Sequence, residues 1–242
     1  MNYKQINNEF EAGTVIIAGA GPGAIKLLTY RVLNVIKSAD VIIYDALVNQ
    51  SILNFSNAKC KLIYAGKLKD KKACSQKDIN DWLVDFANQN LRVLRLKGGD
   101  PSFFSRASQE ADHLMKHNVK FNVFSGITAS QESLKKLHKS FFNNSNFCNL
   151  ITGHKSINFP SIKINYDSIC MNGGRIIIYM GVSQIDKISK KLIESGKNKN
   201  TEVSIISNAS LESEKIVFTT LEKSSMLAKR KKIKSPAIIV VE

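Results

Sequence analysis

The fold is decided by a stretch in which an apolar strand runs into two glycines, Arg92-Val93-Leu94-Arg95-Leu96-Lys97-Gly98-Gly99-Asp100-Pro101. Glycine permits positive φ angles and lets a ligand approach the bare backbone. A proline cannot donate to a sheet, so Pro101 ends the strand. Ligands of open α/β sheets bind outside the carboxyl ends of the strands. The stretch therefore predicts a ligand-binding loop, with an ordinary turn as the alternative, since Gly and Asp-Pro are common turn residues.

The composition is that of a globular protein with one large or two modest domains. Of 242 residues, 43% are hydrophobic and 23% are charged, values typical of soluble proteins. No apolar run has the length of a membrane span, and Met1 to Ala12 lack the apolar segment of a signal peptide. We therefore expect a cytoplasmic protein with no membrane partner. The cysteines form no CxxC pair, so neither a metal site nor a disulfide framework is predicted.

The net charge points to an anionic partner. The chain has 35 Lys and Arg against 20 Asp and Glu, a formal charge of +15. Such a charge attracts nucleic acid, an anionic membrane surface or a polyanionic small molecule. AT-biased coding is the alternative explanation, because the chain is rich in Lys, Asn and Ile together.

Strands alternate with helices in the first half of the chain. Apolar runs predict strands over 14–18, 41–44, 61–64, 93–96 and 120–124. Apolar residues at helical spacing follow the first strand, and Ser75 with Asp78 forms a capping box for a later helix. This alternation predicts βαβ units and a mostly parallel sheet. The near-continuous apolar strands indicate a sheet covered on both faces.

The pattern changes after residue 125, and we expect a second α/β domain. The predicted boundaries are 13–125 for the first domain, 126–146 for a connection and 147–242 for the second domain. Ser183 and Asp186 predict another capping box, for a helix that ends at Gly196. Lys229 to Lys232 predict a basic helix near the end of the chain. Strands are expected over 147–152, 175–179, 202–206, 215–219 and 237–241.

Small or charged residues follow each of four predicted strands of the first domain. They are Gly19, Asp45, Lys67 and the run Gly98 to Asp100. Because the carboxyl ends of parallel strands meet at one edge of a sheet, these residues are expected to lie along the same edge. That shared edge is a stronger argument for a site than any single motif.

The loop after the first strand also fits a nucleotide-binding fingerprint. Gly19-Ala-Gly-Pro-Gly-Ala24 matches G-x-G-x-x-G/A, and Asp40 lies at about the right distance for a ribose contact. However, Pro22 in the loop and the polar Lys26 in the following helix fit this fingerprint poorly. A tight turn between strand and helix is the alternative interpretation.

Several motifs together resemble one known family, the tetrapyrrole methylases. The resemblance extends from about residue 13 to 242, and members that methylate uroporphyrinogen III are the most similar. The motifs, in order, are Gly19-Ala-Gly-Pro-Gly23, Ala39-Asp-Val-Ile-Ile-Tyr-Asp45, Ala65-Gly-Lys67, Arg95-Leu-Lys-Gly-Gly-Asp-Pro101, Ser125-Gly-Ile-Thr128, Thr152-Gly-His154 and Tyr179-Met-Gly181.

The resemblance implies two α/β domains with the active site in the cleft between them, usually in a homodimer. It implies S-adenosylmethionine as methyl donor and S-adenosylhomocysteine as product. Two pyrrole carbons, on rings A and B of uroporphyrinogen III, would be methylated to precorrin-2 for sirohaem or cobalamin synthesis. This polyanionic tetrapyrrole carries eight carboxylates, so it would give the +15 charge a use without any nucleic-acid partner.

The resemblance also assigns roles to individual residues. Asp45 matches the proton acceptor and Lys67 the proton donor, although the two could instead form a surface ion pair of little energetic value. Arg106 and Lys97 are candidate partners of substrate carboxylates, arginine being the better bidentate partner. The residues expected to line the donor site are Pro22, Gly98, Gly99, Asp100, Phe103, Thr128, Ala129, Met180 and Ala209.

The chain departs from the family pattern mainly on the acceptor side. Of the family's Gly-Arg-Gly-Gly-Glu-Glu, only Arg106 and Glu110 are kept, and the segment 130–144 lacks a usual His-Arg pair. Ala209 replaces a usual glycine. His138 could supply lost substrate contacts or simply face solvent. The donor site is therefore predicted more firmly than the tetrapyrrole site.

Two other functions compete with this one. A basic RNA-binding methylase would use the net charge and Lys229 to Lys232, but the chain has no aromatic-studded basic strand for stacking bases. The exposed face of a terminal helix explains that run equally well. A related precorrin methylase, or a homologue with an altered acceptor site, would share the donor loop and differ across the cleft.

Overall fold

Two five-stranded sheets organise the chain in the computed structural model, which describes residues 10–66, 74–142, 145–153 and 164–242. One sheet belongs to each of two units, residues 1–128 and 129–242. Each sheet is combined with helices, so the prediction of two α/β units is confirmed.

The strands of the first unit are β1 (Val15–Gly19), β2 (Val41–Tyr44), β3 (Lys61–Tyr64), β4 (Val93–Lys97) and β5 (Phe121–Phe124). The sequence predicts a mostly parallel sheet, and the observed sheet is entirely parallel, with strand order β3-β2-β4-β1-β5. Its helices are α1 (Tyr30–Ser38), α2 (Gln76–Asn88) and α3 (Ala107–Lys116), with short 3-10 helices at Ile25–Leu27 and Gln50–Phe55.

Both faces of the first sheet are buried, because side chains of each strand alternate between two apolar cores. In β1, Ile16 packs with α1 on one face while Val15 and Ile17 pack with α2 and α3 on the other. The strands therefore read as continuous apolar runs in the sequence. The capping box that opens α2 is present as predicted: Asp78 N donates to the Ser75 hydroxyl, and Ser75 N donates to the Asp78 carboxylate.

The strands of the second unit are β6 (Cys148–Thr152), β7 (Arg175–Tyr179), β8 (Glu202–Ser207), β9 (Lys215–Thr220) and β10 (Ala237–Val241). They form a mixed sheet with order β6-β7-β10-β8-β9. Strands β6 and β7 are parallel, and the other pairs are antiparallel. The helices are α4 (Ala129–Lys136), α5 (Tyr166–Asn172), α6 (Ile185–Glu194) and α7 (Ser224–Arg230).

Three features of the second unit differ from the sequence interpretation or refine it. The Ser183–Asp186 capping box is wrong, since a 3-10 turn at Val182–Gln184 precedes α6 and its N-cap, Gln184, makes no side-chain hydrogen bond. Helix α5 was not predicted. The basic run from Lys229 to Lys232 is exposed at the end of α7, as expected of a terminal helix face.

Within the described residues, every helix falls short of the length and apolarity that a membrane span requires.

Candidate active site at the carboxyl edge of the first sheet

The loops that follow β1 and β4 meet at the carboxyl edge of the first sheet. Gly19, the last residue of β1, lies in register with Lys97, the last residue of β4. Beyond the strands, Gly99 N donates to Gly21 O at 2.8 Å, and Gly21 N donates to Gly99 O at 3.1 Å. The predicted edge is thus formed by Gly19, Gly98 to Asp100 and Asp45, which follows the adjacent strand β2. Lys67 lies outside the described residues.

Three glycines allow the loops to pack backbone against backbone. A Cβ on Gly19 would collide with the Gly99 carbonyl and with the backbone of Gly126, which follows β5. Gly99 itself has φ +71°, and a Cβ built on it would meet no atom within 4 Å. Gly99 therefore presents bare backbone to open space, as a loop that receives a ligand must.

The Asp100 carboxylate ties this loop to its neighbour. One oxygen, Oδ2, accepts from Gly126 N at 2.9 Å, and Oδ1 accepts from Ser102 N at 2.8 Å and from the Ser102 hydroxyl. The residue is only 8% exposed. Asp100 thus links the loops after β4 and β5, and its place in the donor site stays a prediction.

Backbone strain accumulates just after the glycine loop. Phe104 has φ +50° and Arg106 has φ +61°, a region that bulky residues rarely occupy. Such strain is concentrated at functional sites. Phe103 is half-buried, and Arg106 is exposed at the N-cap of α3. Arg106 is therefore accessible, as its predicted role of binding a substrate carboxylate requires.

The predicted residues of the second unit also lie in strained turns. Met180 follows β7 with φ +52° and is 37% exposed. Ala209 follows β8 and is buried between Asn208 (φ +51°) and Ser210 (φ +74°). Both turns lie at strand ends, where binding residues commonly occur.

The remaining predicted residues lie near the ends of elements. Pro22 is half-buried in the loop after β1, Thr128 is buried at the end of the first unit, and Ala129 begins α4. His138 is exposed beyond the end of α4, which fits the solvent-facing alternative. His154 lies outside the described residues.

Beneath the glycine loop lies a group of four ionic side chains, the sheet-edge cluster, formed by Asp45, Arg95, Lys97 and Glu110. Glu110, on α3, accepts from Arg95 Nε at 3.0 Å and from Lys97 Nζ at 2.9 and 3.0 Å. Arg95 Nη2 donates to Asp45 Oδ1 at 2.5 Å. Arg95 and Lys97 are 2% exposed and Glu110 is 0% exposed, while the Asp45 side chain is 30% exposed. Asp45 is thus the member of the cluster that opens towards solvent.

The pKa values of the two buried cations of this cluster are shifted in opposite directions. Burial and the neighbouring Arg95 lower the pKa of Lys97, although Glu110 and Asp45 oppose them. Burial also disfavours the charge of Arg95, but Glu110 and Asp45 outweigh it and raise the pKa of the guanidinium. Lys97 is held by Glu110 and shielded from solvent, so the structure does not support its predicted contact with a substrate carboxylate.

The sequence alone indicates no role for Arg95, and it marks Glu110 only as part of a motif. A signal was present, since two cations alternate with leucines in a strand predicted to be covered on both faces. Such cations need a buried carboxylate. The partner, on a helix that begins ten residues after β4, is a tertiary contact, so no sequence periodicity identifies it.

The second unit holds a similar group, the carboxyl-terminal cluster, formed by Lys139, Arg175, Glu202 and Glu242. Glu242 accepts from Arg175 through both of its oxygens, the shortest distance being 2.7 Å, and from Lys139 Nζ at 2.8 Å. Lys139 Nζ also donates to Glu202 at 2.5 Å. Arg175 is 4% exposed, but Glu202 is 53% exposed. The cluster anchors the end of β10 to the start of β7.

A cavity of about 420 Å³ lies at the opposite, amino-terminal end of the first sheet. Asp40 is among its lining residues, and this carboxylate accepts from both the backbone and the guanidinium of Arg92. The fingerprint interpretation, in which Asp40 would contact a ribose, is therefore excluded, because Asp40 precedes β2 and lies away from the glycine loop. Burial raises the pKa of the neighbouring Cys60 thiol to about 11, so this thiol is not a nucleophile at neutral pH.

The fold and the glycine-rich loop at the carboxyl edge of its parallel sheet define a two-unit α/β protein. The family follows from comparison with known sequences. The profile of the tetrapyrrole (corrin/porphyrin) methylases matches residues 14–224. The chain belongs to this family, so the resemblance drawn from its motifs is confirmed.

Two kinds of curated relative match the chain over 95% of its length. A siroheme synthase of Hydrogenovibrio crunogenus is 37% identical, and the chain spans 48% of it. A uroporphyrinogen-III C-methyltransferase of Bacillus subtilis is 35% identical, and the chain spans 90% of it. The chain thus spans about half the length of the siroheme synthases and most of the length of the methyltransferase.

Solved structures share the fold. A cobalt precorrin-4 methyltransferase superposes with a TM-score of 0.83 at 19% identity, over 95% of this chain and 94% of the other. A uroporphyrin-III C-methyltransferase of Thermus thermophilus, complexed with S-adenosylhomocysteine, has a TM-score of 0.78 at 25% identity, over 94% of this chain and 91% of the other.

Proposed function

We propose that this protein is an S-adenosylmethionine-dependent C-methyltransferase that methylates uroporphyrinogen III on rings A and B to give precorrin-2. The observation that carries the proposal is the sheet edge, where the open backbone of Gly99 and the carboxylate of Asp45 follow adjacent strands. Asp45 N donates to Leu96 O at 3.2 Å, which fixes the loop after β2 beside β4. Membership of the family, and two relatives named uroporphyrinogen-III C-methyltransferase at 34% and 35% identity, support the choice of substrate.

The glycine loop fits a methyl donor that is bound through backbone groups. Gly98 admits no side chain, because its Cβ would lie 2.5 Å from the Leu47 Cβ, while the space above Gly99 is open. We propose that Pro22, Gly98, Gly99 and Phe103 line the donor site and that Asp100 holds the loop. Roles for the other residues carried over from the resemblance, Thr128, Ala129, Met180 and Ala209, stay predictions.

Methyl transfer from S-adenosylmethionine to a pyrrole carbon requires no covalent intermediate with the protein. S-adenosylmethionine supplies an electrophilic methyl group on a sulfonium sulfur, and a pyrrole carbon of the macrocycle is electron-rich. The loops need only hold the two reactants in line, which replaces a bimolecular encounter by an oriented one. After methylation a proton leaves the macrocycle, and Asp45 accepts it as general base. The role of Lys67 as proton donor stays a prediction.

The exposed Arg106 is the proposed partner of substrate carboxylates, for which a guanidinium offers a bidentate contact. The formal charge of +15 favours approach of a polyanionic tetrapyrrole. Cytoplasmic location and a homodimer are parts of the proposal that rest on the family resemblance. Size-exclusion chromatography with light scattering tests the dimer.

An anaerobic assay with methyl-labelled S-adenosylmethionine and uroporphyrinogen III tests the proposal. We expect two labelled methyl groups per tetrapyrrole. Binding of the donor without label in this product would overturn the substrate assignment and favour a precorrin methylase. Tight RNA binding beyond the non-specific range, with steep dependence on salt, would instead favour the RNA methylase.

A further inference from the structure

The sheet-edge cluster contains three ionic residues for which the proposed chemistry has not yet provided a role. We infer that Arg95, Glu110 and Lys97 position the Asp45 carboxylate so that one of its oxygens, Oδ2, accepts the proton released by the macrocycle. The inference rests on the proposed function and adds a second layer of residues that act only through Asp45.

Glu110 is the fixed point of the arrangement. Its two oxygens receive hydrogen bonds from Arg95 Nε, from Lys97 Nζ and, at 3.3 Å, from Gln76 Nε2. With 0% exposure it is shielded from any bound molecule. A carboxylate that is buried and already hydrogen-bonded by three side chains cannot serve as the base. It can orient its donors.

Arg95 transmits that orientation to Asp45. Its Nε is bound by Glu110, and its Nη1 donates to the Ile43 carbonyl at 3.3 Å. The planar guanidinium is therefore fixed from two sides, and its remaining nitrogen, Nη2, is directed at Asp45 Oδ1. Lysine cannot reproduce such a fork, since its ammonium is a point charge on a flexible chain.

The two oxygens of Asp45 have unequal surroundings. Oδ1 accepts from Arg95, whereas Lys97 Nζ lies 3.9 Å from Oδ2, beyond hydrogen-bond distance. Among the described residues, the side-chain hydrogen bonds to Asp45 end on Oδ1. Oδ2 thus keeps capacity to accept on a side chain that is 30% exposed.

Charge balance makes the arrangement reusable. The cluster contains two cations and two carboxylates, so it is neutral while Asp45 is ionised. Proton transfer breaks a C–H bond of the macrocycle, returns the electron pair to the ring system and places the proton on Oδ2. The cluster then carries one net positive charge, and loss of that proton from the partly exposed Asp45 to solvent restores neutrality. Asp45 is thereby restored as a base for the second methylation.

The test compares Arg95→Lys with the matched Arg175→Lys of the carboxyl-terminal cluster. Arg95→Lys keeps the charge but loses the fork. We expect kcat for uroporphyrinogen III to fall about 10- to 100-fold, the scale of a base displaced by about an ångström. Its KM and the Kd of S-adenosylmethionine should stay within about twofold, whereas Arg175→Lys should leave all three constants unchanged.

A double-mutant cycle separates positioning from mere stability. If Arg95 acts through Asp45, then Arg95→Lys should not lower kcat further in an Asp45→Asn background. Glu110→Gln, nearly isosteric, should show the same loss of kcat and the same absence of a further loss in the Asp45→Asn background, and it provides a second variant if Arg95→Lys does not fold.

The outcomes are distinguishable. Wild-type protein that methylates uroporphyrinogen III, together with folded variants of unchanged kcat or with fully additive effects, would overturn this inference alone. Wild-type protein that transfers no methyl group to uroporphyrinogen III would overturn the proposed function and this inference with it.

Discussion

The sheet-edge cluster and the carboxyl-terminal cluster each contain two cations and two carboxylates, but they differ in which side chains are buried. Each joins an arginine on a strand to a lysine and two carboxylates. In the sheet-edge cluster both cations are 2% exposed, whereas in the carboxyl-terminal cluster the lysine is 22% exposed. The first cluster buries its cations and leaves one carboxylate partly open, and the second leaves most of its members in contact with water.

The two lysines show what this difference does. Burial and the repulsion of Arg95 lower the pKa of Lys97. Burial acts in the same direction on Lys139, but hydrogen bonds to Glu202 and Glu242 outweigh it and raise its pKa. A buried ionic group is a poor source of stability, and perturbed ionic groups gather at functional sites. We therefore propose that the first cluster serves catalysis and that the second holds the strand ends together.

The largest expected difference is in turnover, between variants of the more exposed carboxylate of each cluster. Asp45→Asn should lower turnover of uroporphyrinogen III by about 10²- to 10⁴-fold, the usual contribution of a general base. Binding of S-adenosylmethionine, measured by calorimetry, should be retained. Glu202→Gln is the matched control and should leave turnover unchanged. Unaltered turnover in Asp45→Asn would remove Asp45 from the mechanism.

The next largest expected difference is in the stability lost when the more buried carboxylate of each cluster is removed. Glu110→Ala leaves Arg95 and Lys97 buried with too little negative charge, and breaking such a buried pair costs about 3–5 kcal/mol. Glu242→Ala should cost about 1.5–3 kcal/mol, the scale of hydrogen bonds to charged groups, because water reaches much of that cluster.

Urea unfolding measures both variants. Trp82, the single tryptophan, lies on α2 and reports on the first unit through its fluorescence. Circular dichroism follows the whole chain. Equal losses in the two variants, or a larger loss in Glu242→Ala, would contradict the distinction drawn between the clusters.

Much of the fold was predictable because its strands are apolar runs that end in glycine, proline or charge. The same reasoning failed where a tertiary contact decides. Lys97 looked available to a substrate carboxylate, yet the central place of β4 in the sheet buries it and Glu110 binds it. The Ser183–Asp186 pattern is a valid capping signal, but a 3-10 turn moves the start of α6 past Ser183.

The candidate site likewise has features that could be predicted from the sequence and features that could not. Glycine positions are set by local backbone needs, so the edge formed by Gly19 and Gly99 could be predicted from the sequence. The role of Asp100 could not, because its carboxylate is directed by Gly126, a residue 26 positions away. Arg95 and Glu110 were missed for the same physical reason.

Two glycines extend the comparison between the units. Gly99 (φ +71°) and Gly173 (φ +70°) both have a positive φ, and a Cβ on either would meet no atom within 4 Å. Alanine at either position should cost about 1–3 kcal/mol of stability, because L side chains rarely adopt such a φ. Gly99→Ala alone should also weaken binding of S-adenosylmethionine, by about tenfold or more, equivalent to a loss of at least roughly 1.4 kcal/mol. Equal donor affinity in both variants would place the donor elsewhere.

The smallest expected effect is on the pH dependence of stability in acid, and it arises from the carboxyl-terminal cluster. Burial would raise the pKa of Glu242, but hydrogen bonds from Arg175 and Lys139 lower it below its ordinary value of 4.5. Its stabilising contribution is therefore present above about pH 4.5 and is lost as the pH falls through the folded-state pKa. Glu242→Gln removes this linkage, so the variant's free energy of unfolding should decline less steeply below pH 4.5 than that of the wild type.

Glu212→Gln, on an exposed turn, is the control and should keep the wild-type slope. Some slope should persist in Glu242→Gln, because Asp40, paired with Arg92, also has a lowered pKa. Identical slopes in wild type and Glu242→Gln would show that the second cluster does not provide the cohesion assigned to it.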